Sequence, residues 1–198
     1  MTQEKRRLEV SQAAWQVIVR EGLDRTSMRA IAQEMGCTTG VVTHYFRNKQ
    51  ELILFALNQV TEKLKTFMAE AIDSVSGIER LVTMLSAFLP LDRERQDILR
   101  VWVAFLGYAV GRENLMSEHQ QSAAQLREML VEELEGLQAA NLLRQDIKPG
   151  IEANALLALV NGVSLDWLIQ ANRLTSEEQR LVIERYVKEM LVENPVSN

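Results

Sequence analysis

The stretch from Thr26 to Phe46, TSMRAIAQEMGCTTGVVTHYF, constrains the fold of this chain more than any other. Thr26 and Ser27 are good helix caps, and Met28, Ile31, Ala32 and Met35 then recur at three- and four-residue spacing until Gly36 stops the pattern. A second helix starts at Thr38 or Thr39 and places Val42, Tyr45 and Phe46 on one side. Its other side is left with Thr39, Gly40, Thr43 and His44. A buried helix would carry more large apolar residues there, and a loop fewer β-branched ones. The pattern predicts that something outside the chain approaches this backbone closely.

The flanking sequence is helical throughout. Leu8, Ala14, Trp15, Ile18 and Val19 give an amphipathic helix over Gln3 to Glu21, closed by Gly22. Asn48 followed by Glu51 resembles a capping box, and an apolar stripe from Leu52 to Ile72 predicts a long fourth helix that Ser76 and Gly77 interrupt. Further helices are expected from Ile78 to Leu89, ended by Pro90, and from about Arg93 to Val110. Three more follow, over about Asn114 to Ala140, Ile151 to Ala171 and Ser176 to Val192, with Lys148, Pro149 and Gly150 marking a turn. The prediction is an all-α fold of about nine helices without a convincing strand. A small amino-terminal domain over residues 1–48 would hold the motif at about 27–46, and residues 49–194 would form a larger helical domain.

Charge is unevenly spread. The whole chain carries −5, yet its first fifty residues hold eight Lys and Arg against five Asp and Glu, a net of +3, which leaves −8 for the remainder. Such asymmetry predicts that only the amino-terminal part faces a polyanion. Cys37 is the single cysteine, so no intramolecular disulfide can form, and no apolar signal segment follows the start; a cytoplasmic setting is expected. VWVAFLGYAV is the longest apolar run and has about half the ~20 residues that a membrane span needs. With only His44, His119 and one cysteine there is no zinc-type ligand cluster, and no phosphate loop, dinucleotide glycine motif or nucleophile elbow occurs. No enzyme, cofactor or metal is predicted. His119, in the polar run SEHQQS, is expected at the surface.

Two short helices around Gly36-Cys37-Thr38 have the length and turn of a helix-turn-helix, whose second helix enters the major groove of DNA. A slim outer face with Gly40 between threonines lets backbone come close to phosphates and base edges. Thr39, Thr43 and His44 can exchange hydrogen bonds with bases, and Val41 can touch a thymine methyl. Thr26, Ser27, Tyr45 and Lys49 lie where phosphates would pass, and Thr38 is a further candidate DNA-binding residue. An ordinary helical hairpin with a glycine turn fits the spacing equally well.

The segment TSMRAIAQEMGCTTGVVTHYFRNKQELI resembles the amino-terminal region of the TetR family of bacterial transcriptional regulators. Thr26, Ile31-Ala32, Gly36, Gly40, Tyr45-Phe46, Lys49 and Leu52 carry the match across about residues 8–55. The resemblance implies an all-α homodimer with a three-helix DNA-binding domain and a helical ligand and dimerisation domain. Where many members have tyrosine in the recognition helix this chain has Thr43, so a base contact replaces a phosphate contact in our reading. The runs LRVWVAFLGYAV, REMLVEELEGLQAANLL and ANALLALVNGVSLDWLI resemble the subgroup that includes the BetI betaine-synthesis repressor. That implies repression released by a small molecule.

A pocket among the fourth to eighth helices would draw on Trp102, Phe105, Tyr108, Asp166 and Trp167, and aromatic faces with one carboxylate would suit a choline-like cation. Aromatics at this spacing equally make plain core. Leu156, Leu159, Val163 and Trp167, with Leu181, Val182, Met190 and Leu191, are the candidates for a four-helix subunit interface, or else for internal core. The expected function is a DNA-binding regulator, a repressor that grips a palindromic operator as a homodimer and is released by a ligand. The alternative is a helical protein-interaction adaptor without sequence-specific DNA binding.

Overall fold

The computed structural model describes residues 3–192, apart from the side chains of Val60, Asn114 and Glu118. Among the described residues it has nine helices: α1 (Gln3–Glu21), α2 (Met28–Glu34), α3 (Thr39–Tyr45), α4 (Lys49–Ile72), α5 (Gly77–Ser86), α6 (Arg93–Ala109), α7 (Glu113–Ala139), α8 (Pro149–Ile169) and α9 (Ser176–Lys188). The only β pairing among them is an isolated antiparallel bridge between Leu143 and Leu191.

Local chemistry sets most boundaries. Ser27 caps α2 by accepting the Ala30 amide at 3.1 Å. Gly36 closes that helix with φ +63°, a left-handed conformation that side chains with a Cβ resist. At α9 the Thr175 hydroxyl accepts the Glu178 amide while the Glu178 carboxylate accepts the Thr175 amide, a full capping box. The cap of α4 departs from that scheme. Asn48 accepts the Glu51 amide at 2.9 Å, but the Glu51 carboxylate reaches past it to the Arg47 amide at 2.9 Å and to the Arg7 guanidinium at 3.3 Å.

Two helices are shorter than the sequence pattern predicts. Beyond Ser86 the chain tightens into turns, with the Phe88 and Leu89 amides bonding three residues back, before Pro90 removes the donor that a helix would need. At the other end α9 stops at Lys188 because the chain turns to pair with the segment after α7: the Arg144 amide donates to the Met190 carbonyl and the Val192 amide to the Leu142 carbonyl.

The chain divides into two compact units that do not coincide with a division between residues 48 and 49. The first comprises Met1–Lys63 with Asp97–Gln120, so the start of α4 and most of α6 belong with the three amino-terminal helices. The second comprises Leu64–Gln96 with Gln121–Asn198. Residues 193 and 194, expected at the end of the larger domain, lie outside the described residues.

In the first unit α1 and the short pair α2 and α3 close on Val10, Ala14, Val17, Ile31, Val42 and Phe46, all fully buried. Phe46 packs edge-on against Phe55 of α4, 5.4 Å between ring centroids. The Arg7 guanidinium lies 4.8 Å from one ring and 5.0 Å from the other, which ties α1 to the end of α3 and to α4. Replacing Phe46 by Ala would cost roughly 3–5 kcal/mol. α3 is thereby anchored by one face only.

The second unit is built around α5 packed on α8 and α9, with Leu81, Leu85, Leu130, Leu134, Val160 and Ile183 at its centre. Leu156, Val163 and Met190 are part of this core, so they are not free to form a subunit interface. Leu156 and Val163 sit at inward positions of α8, which is apolar on more than one side so that spacing alone does not separate them, and Met190 lies in the turn after α9.

Candidate nucleic-acid interface

Burial of Val42 and Phe46 turns the opposite side of α3 outward. Thr38, Thr39, Gly40, Thr43 and His44 are all exposed, and Val41 is half-buried beside them. Thr38 occupies the cap position without bonding the helix through its side chain, which leaves its hydroxyl available. His44 stands edge-on to Tyr45 at 4.9 Å, and Tyr45 itself leans half-buried against the core of the unit.

Gly40 shows what the fold does not demand. Its backbone is ordinary helix, and a Cβ added there would meet Thr38 Oγ1 at 3.7 Å, a normal contact. Gly36, by contrast, is dictated by its positive φ. The chain itself gives no reason for glycine at residue 40, and the side on which the missing side chain would stand is the exposed one.

Thr43 donates its hydroxyl hydrogen inward, to the Thr39 and Gly40 carbonyls at 3.2 Å each. Such back-bonding is common for threonine within helices. Outward it offers its methyl group and an oxygen lone pair, not a donor.

The flanks correct part of the predicted phosphate set. Thr26 is 2% exposed, and its hydroxyl donates to the Gly22 carbonyl at 2.8 Å, so it fastens the loop between α1 and α2 and does not face outward. Lys49 is half-buried. Its ammonium donates a 2.5 Å hydrogen bond to the Leu23 carbonyl and lies 5.5 Å from the centre of the Tyr108 ring. Burial lowers its pKa, opposed by nearby Asp24 and assisted by Arg112. Ser27 remains exposed at the start of α2 while serving as its cap.

Three arginines join the site that motif reading did not place. Glu9 pairs with Arg6, Glu51 with Arg7, and both Glu21 and Glu34 with Arg20. Arg25, Arg29 and Arg47 are exposed, and their guanidinium groups have no partner among the described residues. Arg29 stands in the first turn of α2 and Arg47 just after α3. The +3 of the first fifty residues held this signal, but only the pairing of the other charges shows where the excess sits.

The expected pocket residues fall on both units. Trp102, Phe105 and Tyr108 lie on α6 in the first unit, whereas Asp166 and Trp167 lie on α8 in the second. Phe105 is fully buried and Trp102 half-buried, and both rings face His119 of α7, at 5.8 and 6.2 Å between centroids. His119 is thus half-buried and not on the surface, and burial lowers its pKa. Tyr108, one turn beyond Phe105, has Arg112 4.0 Å from its ring centre in addition to Lys49. Asp166 is ion-paired with Arg173, so its carboxylate is already neutralised. Of the predicted interface residues, Leu181 is exposed while Leu159, Val182, Trp167 and Leu191 are half-buried.

No group of three or more His, Cys, Asp or Glu among the described residues could hold a metal ion. Among the described residues no helix is long and apolar enough to cross a membrane.

An anchored short helix with a slender polar outer face, preceded by a second short helix and bordered by unpaired arginines, defines a helix-turn-helix regulator with a separate helical unit. The chain belongs to the TetR family of bacterial regulatory proteins, whose model matches residues 11–55, while residues 77–192 match the carboxy-terminal model of BetI-type transcriptional repressors. It is 30% identical to the HTH-type transcriptional regulator PksA of Bacillus subtilis over 193 residues, covering 96% of this chain and 92% of that one. To the HTH-type transcriptional regulator BetI of Vibrio vulnificus it is 24% identical, covering 94% and 92%. A transcriptional regulator from Saccharomonospora viridis, solved in complex with choline, shares the fold with a TM-score of 0.89 at 19% identity, covering 96% of this chain and all of that one. The protein is a DNA-binding transcriptional regulator.

Proposed function

We propose that the protein represses transcription by binding a partly palindromic operator as a homodimer, and that a small molecule releases it. The observation that carries the DNA-reading part is the exposed side of α3, where the fold leaves Gly40 bare without requiring it. Thr39, Thr43, His44 and Val41 read base edges in this scheme, and Arg29, Arg47, Ser27, Thr38, Tyr45 and Lys49 follow the phosphates.

Two recognition helices must stand about 34–36 Å apart to meet successive major grooves, which one chain cannot supply. α8 favours a second copy. Its inner positions, Ala153, Leu156, Val160 and Val163, are buried, yet Ile151, Leu165, Leu168 and Ile169 remain exposed on the same helix, with Leu181 on α9. Those outer residues replace Leu156, Val163 and Met190 in the proposed interface.

For the effector, Trp102, Phe105 and His119 form the aromatic group to test. A histidine held neutral beside two rings does not repel a cation, and ring faces attract one. The choline found in a structural neighbour makes a choline-sized ammonium the first compound to try. Effector binding would favour a state in which the spacing of the two α3 helices no longer fits the operator.

Selection of bound sequences from random DNA, repeated with candidate effectors, tests the proposal. A two-fold-related consensus that is lost with an effector is the expected result. Recovery of no consensus would favour the interaction-adaptor reading instead.

A further inference from the structure

Lys49 is the first residue of α4, and its ammonium is held inside the first unit by groups from two other segments. The Leu23 carbonyl, in the loop that Thr26 fastens, accepts its hydrogen bond at 2.5 Å. The Tyr108 ring, in the last turn of α6, lies 5.5 Å away. Arg112 covers the same ring at 4.0 Å and hydrogen-bonds the Tyr108 carbonyl, so it holds the end of α6 in place. Two cations therefore lie against one aromatic ring, an arrangement that like-charge repulsion opposes. The cation of Lys49 is also one that a DNA phosphate would attract.

We propose that Tyr108 withholds Lys49 from the operator, so that the end of α6 and the DNA backbone compete for one ammonium group. This rests on the DNA-binding reading above and adds how it is regulated. α6 carries Trp102 and Phe105, whose rings face His119, and one turn further on it carries the ring that holds Lys49. A compound settling against the first two rings shifts the grip of the third. Tyr108 is a positioning residue here, since it touches Lys49 and not the DNA.

The test is a double-mutant cycle on operator affinity, read as a function of salt, with the full-length protein and the operator recovered by selection. Tyr108→Leu removes the aromatic competitor and is expected to tighten binding about threefold to tenfold, in keeping with a partly desolvated cation–π contact. The salt slope should not change, because Lys49 reaches its phosphate in either complex. Lys49→Ala should lower that slope by about one. In the Lys49→Ala background Tyr108→Leu should have no effect on affinity, and Tyr108→Phe, which keeps the ring, should match the parent. Equal effects of Tyr108→Leu in both backgrounds, or weaker operator binding by Tyr108→Leu alone, would overturn the proposal.

The unsubstituted protein offers a second readout. Its Lys49 side-chain methylene protons should show an upfield ring-current shift that disappears on saturation with operator DNA; persistence of that shift in the complex would also overturn it. Failure of the unsubstituted protein to bind any selected DNA would instead remove the functional reading on which the competition depends, and with it the competition.

Discussion

The Thr43 hydroxyl donates to the Thr39 carbonyl one turn back on α3, at 3.2 Å. With its hydrogen committed to the helix, Thr43 meets a base through its methyl group. Thr43→Val should therefore keep the preferred base pair at one position of each half-site. Thr43→Ala should relax it, a discrimination of about 1–3 kcal/mol being typical of one good base contact. Selection from random DNA with the two variants decides the matter, and loss of the preference by Val and Ala alike would show that the oxygen does the reading.

Gly40→Ala separates folding from binding. Alanine is about 0.5–1 kcal/mol better than glycine within a helix, and the added Cβ meets only Thr38 Oγ1 at an ordinary distance. The variant should be more stable to urea than the parent. It should also bind operator DNA at least about tenfold more weakly, since the methyl stands where backbone would approach the groove. A variant that gains stability and keeps full affinity would show that nothing approaches Gly40.

Arginines near α3 should divide by what already holds them. Arg29→Ala and Arg47→Ala should each weaken binding to every sequence and reduce the slope of log affinity against log salt by about 0.9. Arg7→Ala should act on stability instead, because its guanidinium lies against Phe46 and Phe55 and pairs with Glu51. Equilibrium unfolding and fluorescence anisotropy on the three variants test the division.

His119 should make the first unit less stable in mild acid. Its pKa is lowered in the folded protein, chiefly by burial against Trp102 and Phe105, while in the unfolded chain it stays near 6.5. The unfolded state therefore takes up the proton first, so this contribution is present above about pH 6.5 and is lost as pH falls through the folded value. Urea unfolding at pH 7.5 and 5.5 should show a larger loss for the parent protein than for His119→Gln. Equal losses would mean that the imidazole is solvated.

Much of this was legible in the sequence because the signals are local. Ser27 and Gly36 bring their partners within four residues, so the ends of α2 followed from cap and turn. The outward side of α3 followed from Val42 and Phe46, which period 3.6 places together. Residues whose role depends on distant partners were not legible. Thr26 reads as a cap but bonds Gly22, and nothing local in the sequence shows that Lys49 meets Leu23 and Tyr108. Asp166 reads as a counter-charge until Arg173 is seen beside it. Leu156 and Leu181 have the same apolar character in sequence, and only packing shows that one is core and the other exposed.

Chemical footprinting of the selected operator with major-groove probes examines the central claim most directly. Two protected major-groove patches, centred about 10–10.5 base pairs apart or a multiple of that and related by two-fold symmetry, are the predicted result. Protection confined to one patch, or to the minor groove, would contradict a pair of α3 helices reading successive turns.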